Sequence, residues 1–475
     1  MFAKIYNTAL QATDLNELKK SLEQAHLDTL DNTPPFLTAG GKLAAEGHIR
    51  AAEMLRTLGA MVDPIAMGYA LANNQRMVEE YHQQHRASPN AIAMGYALNG
   101  NHQLTEYYRL QYKANASSIA MAYAHAQNHA KVEEYRTKHQ ANVNAIAMAY
   151  AQAGNHTKVD DYKMSLHADV KAIAMGYALA GDHAKVDEYR IFYKADVNTI
   201  VMGYALAGNH SKVEEYRREL RVHVNAIAIG YAQAGNECKV EEYRSQYQAD
   251  VHSIAMGYAL ANNHSMVEEY RQIHHADPNL IAMGYARTGN NNKAEEYRLR
   301  YLADPSSIAM GYALAGNHSK VEEYRKLHAA SLKAIAQGYQ RAHESIPRLY
   351  QAILILIKHG PAGHAVIEAI SRLLYGKDKQ WNPYWINADL KLELIIRAVE
   401  ELKFSDNIGE LLNNPKSELY RALDMYRMAL MSLGKWFGLK HTRSFMLVRG
   451  LLSSPKMQLH HHRPKQHRVS SKNSI

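Results

Sequence analysis

The chain has 475 residues, 47% of them apolar, with 32 Tyr, 27 His, 20 Met, 6 Phe and 1 Cys. The single cysteine, Cys238, excludes an internal disulfide framework and any multi-cysteine metal site, and no apolar run reaches the roughly 18 residues of a membrane span. The net charge of +9 is lopsided: residues 341–475 carry +10 and residues 1–340 carry −1, which excludes a uniformly basic, nucleic-acid-coating surface and puts the basic character at the C-terminal end.

The N-terminal stretch "MFAKIYNTALQATDLNELKK" has no long apolar segment, so it does not read as a secretory signal. Residues 1–32 are expected to be a helical cap. From residue 33 to 340 one phrase is spelled again and again, as in "IAMGYALAGNHSKVEEYR" at Ile308–Arg325. Its first tyrosine recurs at 69, 96, 123 and so on to 339, and its second at 81, 108, 135 and on to 324, always 27 residues apart. An unbroken period of this length marks a solenoid, in which one unit buries its apolar face only against its neighbours.

Within a unit the pattern predicts helix–turn–helix. Asn144 is expected to cap the first (A) helix, with Val143 stapled onto Met148; Ile146, Ala149 and Tyr150 share one face. "GNH" at Gly154–His156 ends that helix, and Val159, Tyr162 and Leu166 form the stripe of the second (B) helix, with the acidic pair Asp160–Asp161 in solvent. At a helix spacing of about 8–10 Å, eleven such units in a row would extend on the order of 100 Å.

The first unit carries a resemblance. "TPPFL" from Thr33, then "LAAEGHIRAAEMLRTLGAMVD" at Leu43–Asp63, resembles an ankyrin repeat, and "ADVN" at Ala195–Asn198 resembles an ankyrin junction. An ankyrin unit has about 33 residues, so these read as ankyrin-related helix pairs without the β-hairpin finger. The ankyrin finger site is not carried over. More loosely, tandem Tyr/His-rich units followed by a helical module resemble repeat proteins of Legionella-type intracellular bacteria. That resemblance implies a secreted effector acting in the host cytoplasm; otherwise the location expected is cytoplasmic. The tail lacks the acidic residues common in such export signals.

Most chemistry-bearing columns read as structure. The ladder His102, His129, His156, His183, His210, His264 and His318 cannot converge on one metal, since equivalent atoms of stacked units stand roughly 10 Å apart; a turn-capping imidazole is expected. Adjacent carboxylates such as Glu133–Glu134 point about 100° apart on a helix and, with Lys131 and Arg136 beside them, read as an ion-pair ladder. The tyrosine columns read as core rather than base-stacking platforms, and the methionine column as core filler. Catalytic, cofactor and metal residues: none are expected, and the chain is read as not an enzyme.

The informative positions vary on a constant scaffold. One is an A-helix slot holding Leu98, His125, Gln152 and Arg287; the others follow the B-helix tyrosine. There Ile191 and Phe192 stand where other units carry Gln, Lys, Ser or Arg, with Met164 before them and Arg218 and Arg221 after. An aromatic anchor flanked by arginine has the composition of an interface hot spot, so Met164, Ile191, Phe192, Arg218 and Arg221 are the candidate protein-binding residues.

After Glu344 the period is lost. Residues 341–452 read as a small helical module, with one helix ending at Gly360, one capped by Asn387, and one capped by Asn414 with Pro415 at its first position and Gly434 as its stop. Residues 453–475, with His460–His462, read as a disordered basic tail through which nucleic acid or an anionic membrane could bind. The reading is an all-α, right-handed α-solenoid with a helical C-terminal module, acting as a protein-interaction scaffold with an unidentified protein partner and no transmembrane segment. Two alternatives stand beside it: an RNA-binding helical repeat anchored by the tail, and an enzyme hidden in the C-terminal module.

Overall fold

The computed structural model describes residues 2–24, 38–342, 346–375, 388–402 and 406–424, and among them every regular element is a helix. The candidate tail and its histidines, Asn387 and Gly434 lie outside the described residues. Two compact units are distinguished, one formed by residues 1–330 and 338–345, the other by residues 331–337 and 346–475.

The first unit is an array of helix pairs. Helices Phe2–Gln11 and Leu15–Gln24 pair with each other, and the first of them packs against helices Ala39–Ala45 and Ile49–Thr57, which open the array. A and B helices then alternate, for example Val143–Gln152 and His156–Leu166, then Val170–Ala180 and His183–Ile191. The pairs bury an Ile, an Ala or Val and a Tyr from helix A, and from helix B a Tyr with a Val, an Ala or, once among the described units, Thr105; Ile146, Ala147, Tyr150, Val159 and Tyr162 are the set in one of them. Fully burying such a side chain stabilises by about 1.5–3 kcal/mol, while fixing each residue's backbone costs about 1–2 kcal/mol. Five side chains cannot offset the ordering of a 27-residue unit, so each pair depends on its neighbours.

Both helix starts have a local cause. The A helix is capped by Asn142, whose side chain accepts from the Ala145 N–H, and by Asp169 and Asp196 in the following units. This corrects the expectation of Asn144, Asn198 and their equivalents as caps, and of Val143 as a staple: these residues are already helical. The same shift explains Pro89, Pro278 and Pro305, which occupy the first helical turn, where a missing N–H costs nothing. The B helix is capped by the Asn or Asp of the turn, as by Asn155 accepting from Lys158. Gly154 closes the A helix in the left-handed region, at φ +70°, as its sequence position predicts.

The backbones of consecutive A helices lie closest in the array, and those of consecutive B helices stand farther apart and meet through long side chains. A β-carbon at Gly176 would stand 2.4 Å from the Met148 carbonyl oxygen of the preceding A helix. With A helices close and B helices splayed, the array must curve with its A helices inside. It curves far enough to meet itself. Asn262 Nδ2 donates to Asp63 (2.9 Å), Asn144 Nδ2 to the Ala342 carbonyl (2.9 Å), Asn90 Nδ2 to the Thr288 carbonyl and Asn115 Nδ2 to the Ala315 carbonyl. These partners are 198 to 200 residues apart, a little over seven 27-residue units. The straight row of about 100 Å is therefore corrected: the units coil into a superhelix whose successive turns are stitched together.

The second unit contains helices Arg348–Lys358, Gly360–Tyr375, Ala388–Glu400, Ile408–Leu411 and Glu418–Leu423. Its core includes Tyr350, Ile353, Leu356, Ile370, Ile395, Val399 and Leu419. Arg348 reaches both Glu393 (2.9 Å) and Glu400 (2.7 Å). Helix Glu418–Leu423 is capped by Ser417, which accepts from the Tyr420 N–H, not by Asn414. Asn414 instead closes a turn by accepting from the Lys416 N–H at 3.0 Å.

Candidate functional site

The repeated polar residues that look most like chemistry tie each helix pair to the next. The histidine of one unit is hydrogen-bonded through Nδ1 to the A-helix tyrosine hydroxyl 21 residues on: His102–Tyr123, His129–Tyr150, His156–Tyr177, His183–Tyr204, His210–Tyr231, His264–Tyr285 and His318–Tyr339, all at 2.8–3.0 Å. The ring thus reaches into the next unit's core instead of capping its own junction. A second tie runs from the B-helix tyrosine back to the first acid of the preceding unit, as from Tyr162 Oη to Glu133 (2.6 Å), Tyr243 Oη to Glu214 (2.7 Å) and Tyr297 Oη to Glu268 (2.6 Å). A third uses the slot first read as a cap: the Asp169 N–H donates to Asn144 Oδ1 at 2.6 Å, and the Asp250 N–H to Asn225 Oδ1 at 2.8 Å.

The acidic pair is therefore divided in its work. Both members make the expected ion pairs, Glu133 with Arg136 (2.7 Å) and Glu134 with Lys131 (2.8 Å), but the first also accepts the next unit's tyrosine. Hydrogen bonds from Arg217 and then Tyr243 hold Glu214 below the usual carboxylate range, and Glu295, bonded by Arg298 and Tyr324, is lowered to about 2. At Tyr216, whose facing acid is the shorter Asp187, the tie to the acid is not made: among the described residues the buried hydroxyl accepts or donates no well-formed hydrogen bond, and the Arg190 guanidinium is the group that faces it. Asp187→Glu should supply the missing methylene, keep the pair with Arg190 (3.0 Å) and stabilise by about 1 kcal/mol. A urea midpoint that rises in the native background but hardly moves in Tyr216→Phe would establish the bond; equal shifts in both backgrounds would refute it.

The A-helix variable slot lies on the inner side of the curve. His125 Nε2 meets Gln152 Oε1 of the next unit at 3.3 Å, and burial pulls His125 down to about 4. Arg287 has an exposed side chain, yet its pKa is lowered by burial.

The outer rim is formed by the C-terminal ends of the B helices, and all five candidate binding residues fall there. Met164 lies near the end of His156–Leu166, Ile191 is the last residue of His183–Ile191 with Phe192 as its C-cap, Arg218 lies in His210–Glu219 and Arg221 in the turn that follows. Phe192 is 75% exposed and Met164 72%. Ile191, Arg218 and Arg221 are exposed as well, and Arg218 is loosely paired with Glu214 at 3.9 Å. The structure brings the five onto one rim of three successive units, without a hydrogen bond or ion pair joining them to one another among the described residues.

Sequence reasoning missed the aromatic slot that completes this rim, four residues after the B-helix tyrosine. Its signal was present as an alternation of Tyr and His at 193, 247, 274, 301 and 328. Each ring packs on the tyrosine one helical turn earlier, as Tyr193 does on Tyr189 at 4.9 Å. The tyrosines of this slot are also covered by a cation from the preceding unit. Lys163 Nζ lies 4.3 Å from the Tyr193 ring centre, the Arg217 guanidinium 4.4 Å from that of Tyr247, and the Arg271 guanidinium 4.2 Å from that of Tyr301. The same cations pair with Asp160 (3.0 Å), Glu214 (2.7 Å) and Glu268 (2.8 Å). A carboxylate and an aromatic face thus hold a cation between them, again and again along the rim.

Among the described residues no group of three or more His, Cys, Asp or Glu is placed to hold a metal ion, and no helix is long and apolar enough to cross a membrane. No protein-family model matches the chain, and no curated protein matches it.

Proposed function

We propose that the helical array is a non-catalytic protein-interaction scaffold whose docking surface is the outer rim centred on Ile191 and Phe192, flanked by Met164, Arg218 and Arg221. The observation that carries this reading is the exposure of Phe192 beside Ile191. Core positions of the repeat are filled by recurring residues, so this pair is not needed to close its unit, and its hydration is unfavourable until a partner covers it. Burial of both tyrosine columns disfavours the competing RNA reading, because buried rings cannot stack on bases. Delivery into a host cell is a separate proposal, tested by fusing a translocation reporter to the full chain.

Phe192→Ser is the test of the rim. It should leave the melting temperature within about 2 °C, as surface changes do, while reducing capture of a partner retained by the native chain, by about 2 kcal/mol or more in affinity. A strongly lowered melting temperature, or undiminished capture, would remove the rim as the docking surface.

A further inference from the structure

One place on the rim departs from the pattern in four slots at once, where helices Gln75–Gln83 and His102–Gln111 lie side by side. His82 stands where Lys163, Arg217 and Arg271 supply the cation; Leu104 and Tyr107 stand where Lys131 and Glu134 make an ion pair; Gln75 stands in the histidine slot. Tyr112 keeps the aromatic slot and Glu79 keeps the acid. The two elements that hold a cation elsewhere are both present, and the resident cation has been replaced.

The replacement opens a pocket of about 240 Å³ lined by Glu79, His82, Tyr96, Tyr107, Tyr108 and Tyr112, among others. Tyr107 stands nearly perpendicular to both Tyr108 (81°, ring centres 5.6 Å apart) and Tyr112 (78°, 5.8 Å). His82 meets Tyr112 edge-on, with centres 4.4 Å apart. Tyr107 is 47% exposed and Tyr112 40%, so their rings remain accessible.

The carboxylate is uncommitted. Equivalent acids are engaged by an arginine three residues on, as Glu106 is by Arg109 (2.7 Å). Three residues after Glu79 comes His82, and its Nδ1–H donates to the Ala87 carbonyl at 3.3 Å instead. No hydrogen bond or ion pair engages Glu79 among the described residues. Its charge is nonetheless close to the rings: Tyr96 is pushed up to about 12 and Tyr108 is raised, by burial first and by Glu79 among the further causes.

We propose that this pocket binds a guanidinium group from outside the chain, stacked on the exposed tyrosine faces and paired with Glu79. The chain supplies the precedent, since Arg217 and Arg271 occupy the same acid-and-ring arrangement internally. The chemistry favours guanidinium over a plain ammonium because it is planar, weakly hydrated and able to stack while its edge donates to a carboxylate. An arginine side chain of a partner protein and a free guanidino compound share this chemistry. The site is separate from Phe192, so the two readings stand or fall independently.

The test is an NMR or fluorescence titration of the full chain with acetyl-arginine-amide, agmatine and acetyl-lysine-amide. Saturable millimolar binding of either guanidino probe, with the lysine probe at least about tenfold weaker, is the expected result. Tighter binding of the capped arginine points to a protein ligand, and tighter binding of agmatine to a small molecule. Glu79→Gln and Tyr107→Ala should each weaken the guanidino probes by about tenfold or more. His82→Arg is the decisive variant, because it restores the pattern of the other units: it should fold at least as stably and lose the binding by filling the site from within. No saturable binding to the native chain, equal binding of the lysine probe, or unchanged binding by a folded His82→Arg protein would each overturn the proposal.

Discussion

Tyr204→Ala should destabilise the array by about 3–5 kcal/mol, as truncation of a fully buried aromatic does. The Tyr204 ring is buried to 1% exposure, packs 5.5 Å from Tyr216, and its hydroxyl is bonded to His183 at 3.0 Å. The truncation removes the ring's contacts, leaves a void between two A helices that touch through backbone, and strands the His183 nitrogen. Tyr204→Phe separates these contributions: it loses the bond to His183 alone and should cost about 1 kcal/mol. Urea denaturation of both variants measures the difference, and hydrogen exchange shows where the loss falls. It should be concentrated in the units around residues 183–216, because a repeat array is held by nearest-neighbour terms. A Tyr204→Ala cost below about 1 kcal/mol would contradict the inward placement of the whole column.

Deleting Asn144–Val170, one 27-residue period, should leave a folded array, whereas deleting Asn144–Lys163 should break it. The in-phase deletion joins equivalent points, so the His129 tie passes from Tyr150 to Tyr177 and the Glu133 tie from Tyr162 to Tyr189; the Asn144 tie is lost, because Lys171, which takes its slot, cannot accept a hydrogen bond. The coiling makes this a harder test than for an open solenoid, because contacts 198 to 200 residues apart are displaced by one unit as well. Those not made by Asn144 should also re-form, since the acceptors are mostly main-chain carbonyls that every unit presents at the end of its A helix. The shorter deletion removes nearly all of helices Val143–Gln152 and His156–Leu166 and leaves Met164–Val170 as seven surplus residues between Val143 and Lys171, which puts the junction, and the ties that cross it, out of register. Equal loss of helical circular dichroism in the two proteins would sink the repeat-by-repeat account of stability.

Much of this was legible in the sequence because it is local or periodic. A fixed period of 27 with small and apolar residues at constant offsets admits only a stack of helix pairs. The left-handed residue at Gly154, the buried status of both tyrosine columns and the ion pairing of Lys131 with Glu134 follow from spacing along one helix or turn. The exposure of Phe192 was legible in the same way, as one slot breaking a pattern. The A-helix cap was misplaced by two residues because Asn142 and Asn144 are both good caps by composition. Only the neighbouring unit shows that the second accepts from Asp169.

What the sequence determined alone is the brick: two helices, their turns, their apolar stripes and the repetition that forces them to stack. The tertiary structure decided how the bricks are tied and where the row goes. A histidine and a tyrosine 21 residues apart, or a tyrosine and a glutamate 29 apart, have no local reason to meet; they meet because stacking sets the helices of adjacent units side by side. Curvature is a further step removed. It is set by the small difference between close A-helix packing, permitted by residues such as Gly176, and looser B-helix packing. A difference of that size changes no single unit, but summed over a little over seven units it brings Asn144 against the Ala342 carbonyl, an encounter that no pattern along the chain encodes.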